Sequence, residues 1–353
     1  METQELFVNK QIEDVYNSLA SQKTTSAHRR HKQENDEDML LPCIDPFLID
    51  CEMKIVRSKA HRRLHGKAQV VTDPNNPHTF TRISHTGDVV AISSIISAIL
   101  GLNIEFTKAI ALGHDIGHLP LGHPAERILR DFVNPPLKHE IFGVVIAQHI
   151  EHAGKGLNLN REVLLGMSQH SRGKERLEID NGMTPEAAVV MIADKLAYLT
   201  RDYEDALRLG IPLPCNLTTI MQELGKTGKE RVNRLITDVC LESAERGHIS
   251  FCKCQSSIIL KSAREYMYES VYPTMDIHDS KSIITRIYEF LRSVVGAKIH
   301  PVIAYALLTD QEVITLAYKH VLDVHCLLGT GMWEILPTIQ EKEIKWWDLD
   351  LDW

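Results

Sequence analysis

Aromatic residues are scarce, 6% of 353 positions, although apolar residues together reach 44% and charged ones 24%, the balance of an ordinary soluble globular protein. There is no basic excess. The net charge of −8 argues against an electrostatically driven nucleic-acid binder. A small anionic substrate remains open, because a metal ion and a few local Lys and Arg side chains can reverse the field inside one cleft. No apolar run is long enough to span a bilayer, the most apolar stretch (89–102) being interrupted by serines. The start, METQELFVNK, lacks the charged-then-apolar pattern of a secretion signal. Seven cysteines, an odd number, have no framework spacing, and Cys252 and Cys254 form a C-x-C pair with no second pair to complete a zinc site. They read as reduced thiols in a cytoplasmic protein. There is no internal repeat, and no sustained strand alternation outside the last residues.

What is present is helical periodicity. Apolar residues recur at i, i+3, i+4 and i+7 over 49–64, 85–100, 104–115, 124–132, 138–152 and 186–208. Gly101, Gly117, Pro120, Pro135-Pro136 and Gly210 fall between these segments. Further candidates are 217–224, 230–245, 257–269, 280–295 and 310–327. The fold class is therefore all-α, a chain of this length being able to form one continuous helical core. Four regions follow: a short helix and mobile polar loop over 1–45, a core over 46–210, a helical region over 211–340 that completes the fold, and a tail over 341–353. The polar run 24–38 has too few apolar residues to fold alone. Asn75, Asn76 and Pro77 mark a turn.

The strongest chemical feature is Ala111-Leu112-Gly113-His114-Asp115-Ile116-Gly117-His118. Adjacent His and Asp at the end of an apolar helix can both turn toward one cation once Gly117 and Pro120 end the helix. Imidazole and carboxylate are a natural mixed ligand pair for a divalent metal. Two ligands rarely suffice. His85 opens the preceding helix, and Asp194 lies inside the apolar segment Val189–Tyr198, where a lone carboxylate is costly to bury unless paired or metal-bound. His85, His114, Asp115 and Asp194 would leave positions open for water and a phosphate oxygen. Asp194, Tyr198 and Asp202 are spaced i, i+4, i+8 and share one helix face.

The order H…HD…D is that of the HD superfamily, and the flanks resemble its deoxyguanosine triphosphate triphosphohydrolase (dGTPase) branch. That branch shows S-x-A-x-R-R-L-x-x-K-x-Q-V, matched from Ser58 to Val70, and T-R-x-x-H, matched from Thr81 to His85. H-D-x-G-H-x-P-x-G-H-x-x-E follows from His114 to Glu126, and A-D-x-x-A-Y-x-x-x-D-x-x-D from Ala193 to Asp205. The match covers about residues 43 to 210, in order. It implies an HD-domain helical fold with additional C-terminal helices, and metal ligation by His85, His114, Asp115 and Asp194. It further implies a catalytic His123 oriented by Glu126, with His118 and His139 as further phosphate or catalytic contacts. Arg82 and Lys195 are implied as phosphate-binding cations, Tyr198 and Asp202 as sugar contacts, and Gln69 as the glutamine that reads the deoxyribose hydroxyl.

The resemblance also implies a divalent metal ion (Mn, Mg or similar), a deoxynucleoside triphosphate substrate and a homo-oligomer, with no membrane. The expected reaction is hydrolysis at the α-phosphate to deoxynucleoside and inorganic triphosphate. His123 would protonate the departing 5′-oxygen or assist the attack. The alternatives are an HD phosphohydrolase acting on a monophosphate or signalling nucleotide, and a non-catalytic nucleotide sensor.

Several positions depart from the family. Leu121 stands where an aromatic is usual, and Lys138-His139-Glu140-Ile141 lacks the glutamine of the N-E-Q or H-E-Q stretch. His170-Ser171-Arg172-Gly173-Lys174 resembles an H-S-x-G-K turn that would either touch phosphates or form a solvated basic loop. Arg264, Glu265, Tyr266 and Tyr272 resemble a family segment without assignable contacts, and the late D-Y-x-x-G-M-T-D stretch is not recognisable. The tail, Lys345 to Trp353, alternates acidic and apolar residues with three tryptophans. It would dock as an edge strand on this or a neighbouring subunit, or bind a basic groove on a partner.

Overall fold

The computed structural model describes residues 11–31, 44–70, 78–171, 182–275, 279–295, 299–340 and 342–353. The 75–77 turn, the polar run beyond residue 31 and residues 172–174 of the basic turn lie outside these. Among the described residues there is no strand, only two isolated antiparallel bridges, Arg29 with Asn160 and Ala68 with Thr81. The fold is all-α.

In chain order the main helices are α1 (Lys59–Arg63), α2 (Arg82–Leu100), α3 (Ile104–Gly113), α4 (Gly122–Leu129), α5 (His139–Val145), α6 (Arg161–Gln169) and α7 (Pro185–Arg208). They continue with α8 (Cys215–Leu224), α9 (Gly228–Arg246), α10 (Gln255–Tyr266), α11 (Ser280–Val294), α12 (Pro301–Ala306), α13 (Asp310–Ala317) and α14 (Gly331–Ile339). Their starts obey capping chemistry. Thr184 caps α7 ahead of Pro185, and both Thr227 with Glu230 and Thr309 with Glu312 close reciprocal capping boxes.

The chain divides into two compact units. The first comprises 1–26, 87–111 and 169–275, and the second 27–86, 112–168 and 276–353. In the first, α7 packs on α9 and α10, and α8 on α9 and α10. Its anchor is Glu186, fully buried, whose carboxylate accepts from the Thr24 and Asn103 backbone amides and the Thr24 hydroxyl. In the second, α11 packs on α4, α12 and α13, and α14 on α12. Helix α2 has the length and hydropathy of a membrane span, but 44% of that window is buried inside the protein. Its Ser97 bonds Thr107 of α3 at 2.8 Å, and both are fully buried, as in a helix packed within a core.

Candidate active site

The second unit gathers most of the predicted site. Residues 67–69 and 80–82 run side by side, with Arg82 N donating to Lys67 O at 2.9 Å and Gln69 N to Phe80 O at 3.3 Å. This pairing sets where α2 begins, so Arg82 and, one turn later, His85 both point inward, 3% and 2% exposed. Helix α3 ends at Gly113, where an added Cβ would come within 2.6 Å of the Met167 sulfur. The chain then turns through His114 and Asp115, with Ile116 N bonding Gly113 O and His118 N bonding Asp115 O.

His85, His114 and Asp115 offer ligand atoms that all lie within 4.8 Å of one another, and all three are buried. The two imidazoles meet edge to face at 5.5 Å. Asp115 stands at the centre of the charge pattern. One oxygen faces His114 at 3.5 Å and His118 at 3.4 Å, and the other accepts from Arg82 at 2.9 Å. Burial alone would raise its pKa; the surrounding imidazoles and the guanidinium instead hold it well below the usual carboxylate range.

A second cluster adjoins it. His118 and His139 stack at 3.8 Å. Glu126 Oε1 lies 2.9 Å from His139 Nδ1 and 3.7 Å from His118 Nδ1, while its other oxygen lies 3.6 Å from His123. Glu126 thus takes His139 as its closest partner, in addition to the expected His123. Burial would push His139 down, yet the Glu126 carboxylate raises it to about 9. His118, buried beside Arg82 and His139, is held well below its usual value. His123 is the exposed member, its side chain 54% accessible. Gln69 is half-buried, and its side-chain oxygen has no hydrogen-bond partner among the described residues.

In the first unit, α7 carries Asp194, Lys195, Tyr198 and Asp202. Asp194 and Tyr198 are half-buried, Lys195 and Asp202 buried. Tyr272 donates its hydroxyl to Asp202 at 2.8 Å, and Tyr268 stands edge-on to Tyr272 at 5.0 Å and bonds Tyr198. Burial, reinforced by Tyr268 and by Asp194 and Asp202, pushes the Tyr198 phenol well above its usual range, so it remains a hydrogen-bond donor. Tyr272 and Arg264 belong to the segment whose family resemblance carries no assigned contacts. Tyr268 was missed, and its i, i+4 spacing to Tyr272 was the available signal.

The HD domain family matches residues 82–199, from Arg82 to Leu199. Several relatives bear the name deoxyguanosinetriphosphate triphosphohydrolase-like protein. That of Clostridium tetani is 33% identical over 283 residues, 77% of this chain and 79% of the relative. That of Desulfatibacillum aliphaticivorans is 31% identical over 255 residues, covering 69% and 73%. A Clostridium perfringens relative (strain SM101) is 33% identical over 287 residues, covering 78% and 80%.

The chain belongs to this dGTPase-like family. In this HD-domain protein the buried set of two imidazoles and one carboxylate suits a divalent cation, since nitrogen and oxygen donors of this kind serve zinc and the first-row transition metals. Of the four expected metal ligands, His85, His114 and Asp115 lie together in the second unit, with Glu126, His118, His123 and His139 beside them, while Asp194 stands on α7 in the first unit with Lys195, Tyr198 and Asp202.

Proposed function

We propose that this dGTPase-like protein is a metal-dependent deoxynucleoside triphosphate triphosphohydrolase that releases deoxynucleoside and inorganic triphosphate. The observation that carries the reading is the buried His85–His114–Asp115 cluster adjoining an exposed histidine, His123, backed by Glu126. His85, His114 and Asp115, with Asp194 as the fourth ligand, would hold the ion. When bound, it supplies Lewis-acid polarisation of an α-phosphate oxygen.

The chain's own residues do the rest. Arg82 and Lys195 neutralise triphosphate charge. Water attacks the α-phosphorus as the phosphorus–5′-oxygen bond breaks, His123 gives a proton to that departing oxygen, and the proton released by the attacking water returns to His123 through solvent. The Glu126 carboxylate fixes which imidazole nitrogen faces outward, and His118 and His139 contact the phosphates. Tyr198 crowds a ribose 2′-hydroxyl while Asp202, held by Tyr272, accepts from the 3′-hydroxyl, and the Gln69 side-chain amide donates to the oxygen of that same hydroxyl. The family resemblance supports a homo-oligomer as the working form, and the cysteines without framework spacing support a cytoplasmic setting.

Incubation with each of the four dNTPs and a Mn²⁺ or Mg²⁺ salt, with chromatographic separation, tests this. Equal amounts of deoxynucleoside and tripolyphosphate are expected. Consumption of a monophosphate or signalling nucleotide instead, with orthophosphate released, would overturn the substrate assignment, and inactivity of the metal-loaded protein on all of them would point to a sensor.

A further inference from the structure

Asp310, the first residue of α13, is 6% exposed and spends both carboxylate oxygens on backbone amides of distant segments. Oδ2 accepts from Ala68 N at 2.7 Å, and Oδ1 accepts from Leu121 N at 2.8 Å. Ala68 immediately precedes Gln69 and bridges to Thr81 beside Arg82. Leu121 lies between His118 and His123. It is left-handed at φ 60°, a conformation that strains a side-chain-bearing residue, and Gly122 follows at φ 58°. Two successive left-handed residues therefore aim His123, and the amide of the first is held by Asp310.

The neighbouring bonds run the same way. Lys67, 1% exposed, donates its ammonium to His118 O and, at 3.0 Å, to Ala306 O at the end of α12. Gly66 lies so close to Thr309 that an added Cβ would come within 2.7 Å of its methyl. Residues 66–69, 118–121 and 306–310 are thus tied through buried polar bonds whose partners have no alternative in water.

We infer that Asp310 is a positioning residue. It fixes the spacing between the Gln69–Arg82 side of the site and the His118–His123 turn, and acts on the reaction through His123 without touching substrate. The inference rests on the reading of His123 as the proton donor.

The test uses Asp310→Asn, which keeps the volume but turns one acceptor into a donor facing an amide. Hydrogen exchange of the full chain is expected to quicken at least tenfold over residues 118–123 and at Ala68, with α7 and α9 unchanged. The wild type and Asp310→Asn are then compared in kcat and KM, each also in a His123→Ala background. A fall in kcat of tenfold or more with KM within threefold is expected in the His123 protein, and a fall below twofold in the His123→Ala background, since coupled residues are not additive. Unchanged exchange over 118–123, or equal losses in both backgrounds, overturns the inference. Running the same four proteins on a panel of nucleoside monophosphates, whose alkoxide leaving group also needs a proton, separates it from the substrate assignment. A wild type active there but on no dNTP defeats the assignment and leaves the Asp310 comparison intact.

Discussion

Two stacked imidazoles, His118 and His139, sit 3.8 Å apart with their pKa values driven in opposite directions. Burial lowers both, and Arg82 pushes His118 down further, whereas Glu126, 2.9 Å from His139, outweighs burial there. A histidine whose folded pKa is raised binds its proton more tightly folded than unfolded. Its contribution to stability is therefore complete below about pH 6.5 and is lost as pH rises through about 9. Metal-free protein should accordingly melt at progressively lower temperature between pH 6.5 and 9, and Glu126→Gln should flatten that slope. Calorimetric melts across that range check it, and equal slopes in both proteins would rule the ion pair out. For the metal cluster, His85→Ala and His114→Ala each remove one of three buried donors. The loss of divalent-ion affinity should exceed the roughly 10–100-fold typical of removing only a ligand's hydrogen-bond partner. Calorimetric titration with Mn²⁺ reads this directly, with circular dichroism showing that the helices persist.

At the scale of the element, the site depends on how closely α5 approaches the turn after α3. A Cβ on Gly117 would lie 2.1 Å from His139 O and 2.3 Å from Gly143 N, both backbone atoms that cannot swing aside. Gly117→Ala should therefore destabilise by about 3 kcal/mol or more, at the top of the overpacking range, read as a lower urea midpoint with an unchanged slope. A midpoint indistinguishable from wild type would show that α5 shifts freely. Helices were legible where apolar spacing held over three or more turns. The spans 85–100, 104–115, 186–208, 230–245 and 280–295 all appear within a few residues of their expected ends. Periodicity does not reveal where the hydrogen-bond step changes. The expected helices 49–64 and 138–152 contain π-helical stretches at Ile49–Ile55 and Ile146–Ile150, and the first breaks before the Ser58 cap of α1. The span 310–327 ends as a helix at Ala317, leaving Tyr318 and Val321 exposed beyond it. The helices α6, α12 and α14 lie outside the expected spans.

Across the whole molecule, what the motifs could not disclose is what long-range bonds decide. His85, His114 and Asp115 are chemically marked by residue type and local sequence. Asp310 reaches Leu121 and Ala68 across 189 and 242 positions, and no local pattern announces such a partner. The tail is the same kind of case. It forms no strand among the described residues, and docks on its own chain within the second unit. Trp346 donates its indole N–H to Pro135 O at 3.0 Å and packs on the His300 ring at 4.2 Å. Arg161 and Gln148 donate to the carbonyls of Leu351 and Leu349, and Arg30 pairs with Asp350. Trp346 and Leu351 are buried, so the tail contributes apolar area as well as polar bonds. Trp346→Ala should cost about 3 kcal/mol, the low end for truncating a buried large aromatic, because the ring is 7% exposed and lies at the rim. Denaturant unfolding measures this. Arg30→Ala, which removes only a partly exposed ion pair with Asp350, should shift the same transition by no more than about 1 kcal/mol. If the two substitutions cost the same, the tail is held by charge rather than by packing, and the docking described for Trp346 is not what anchors it.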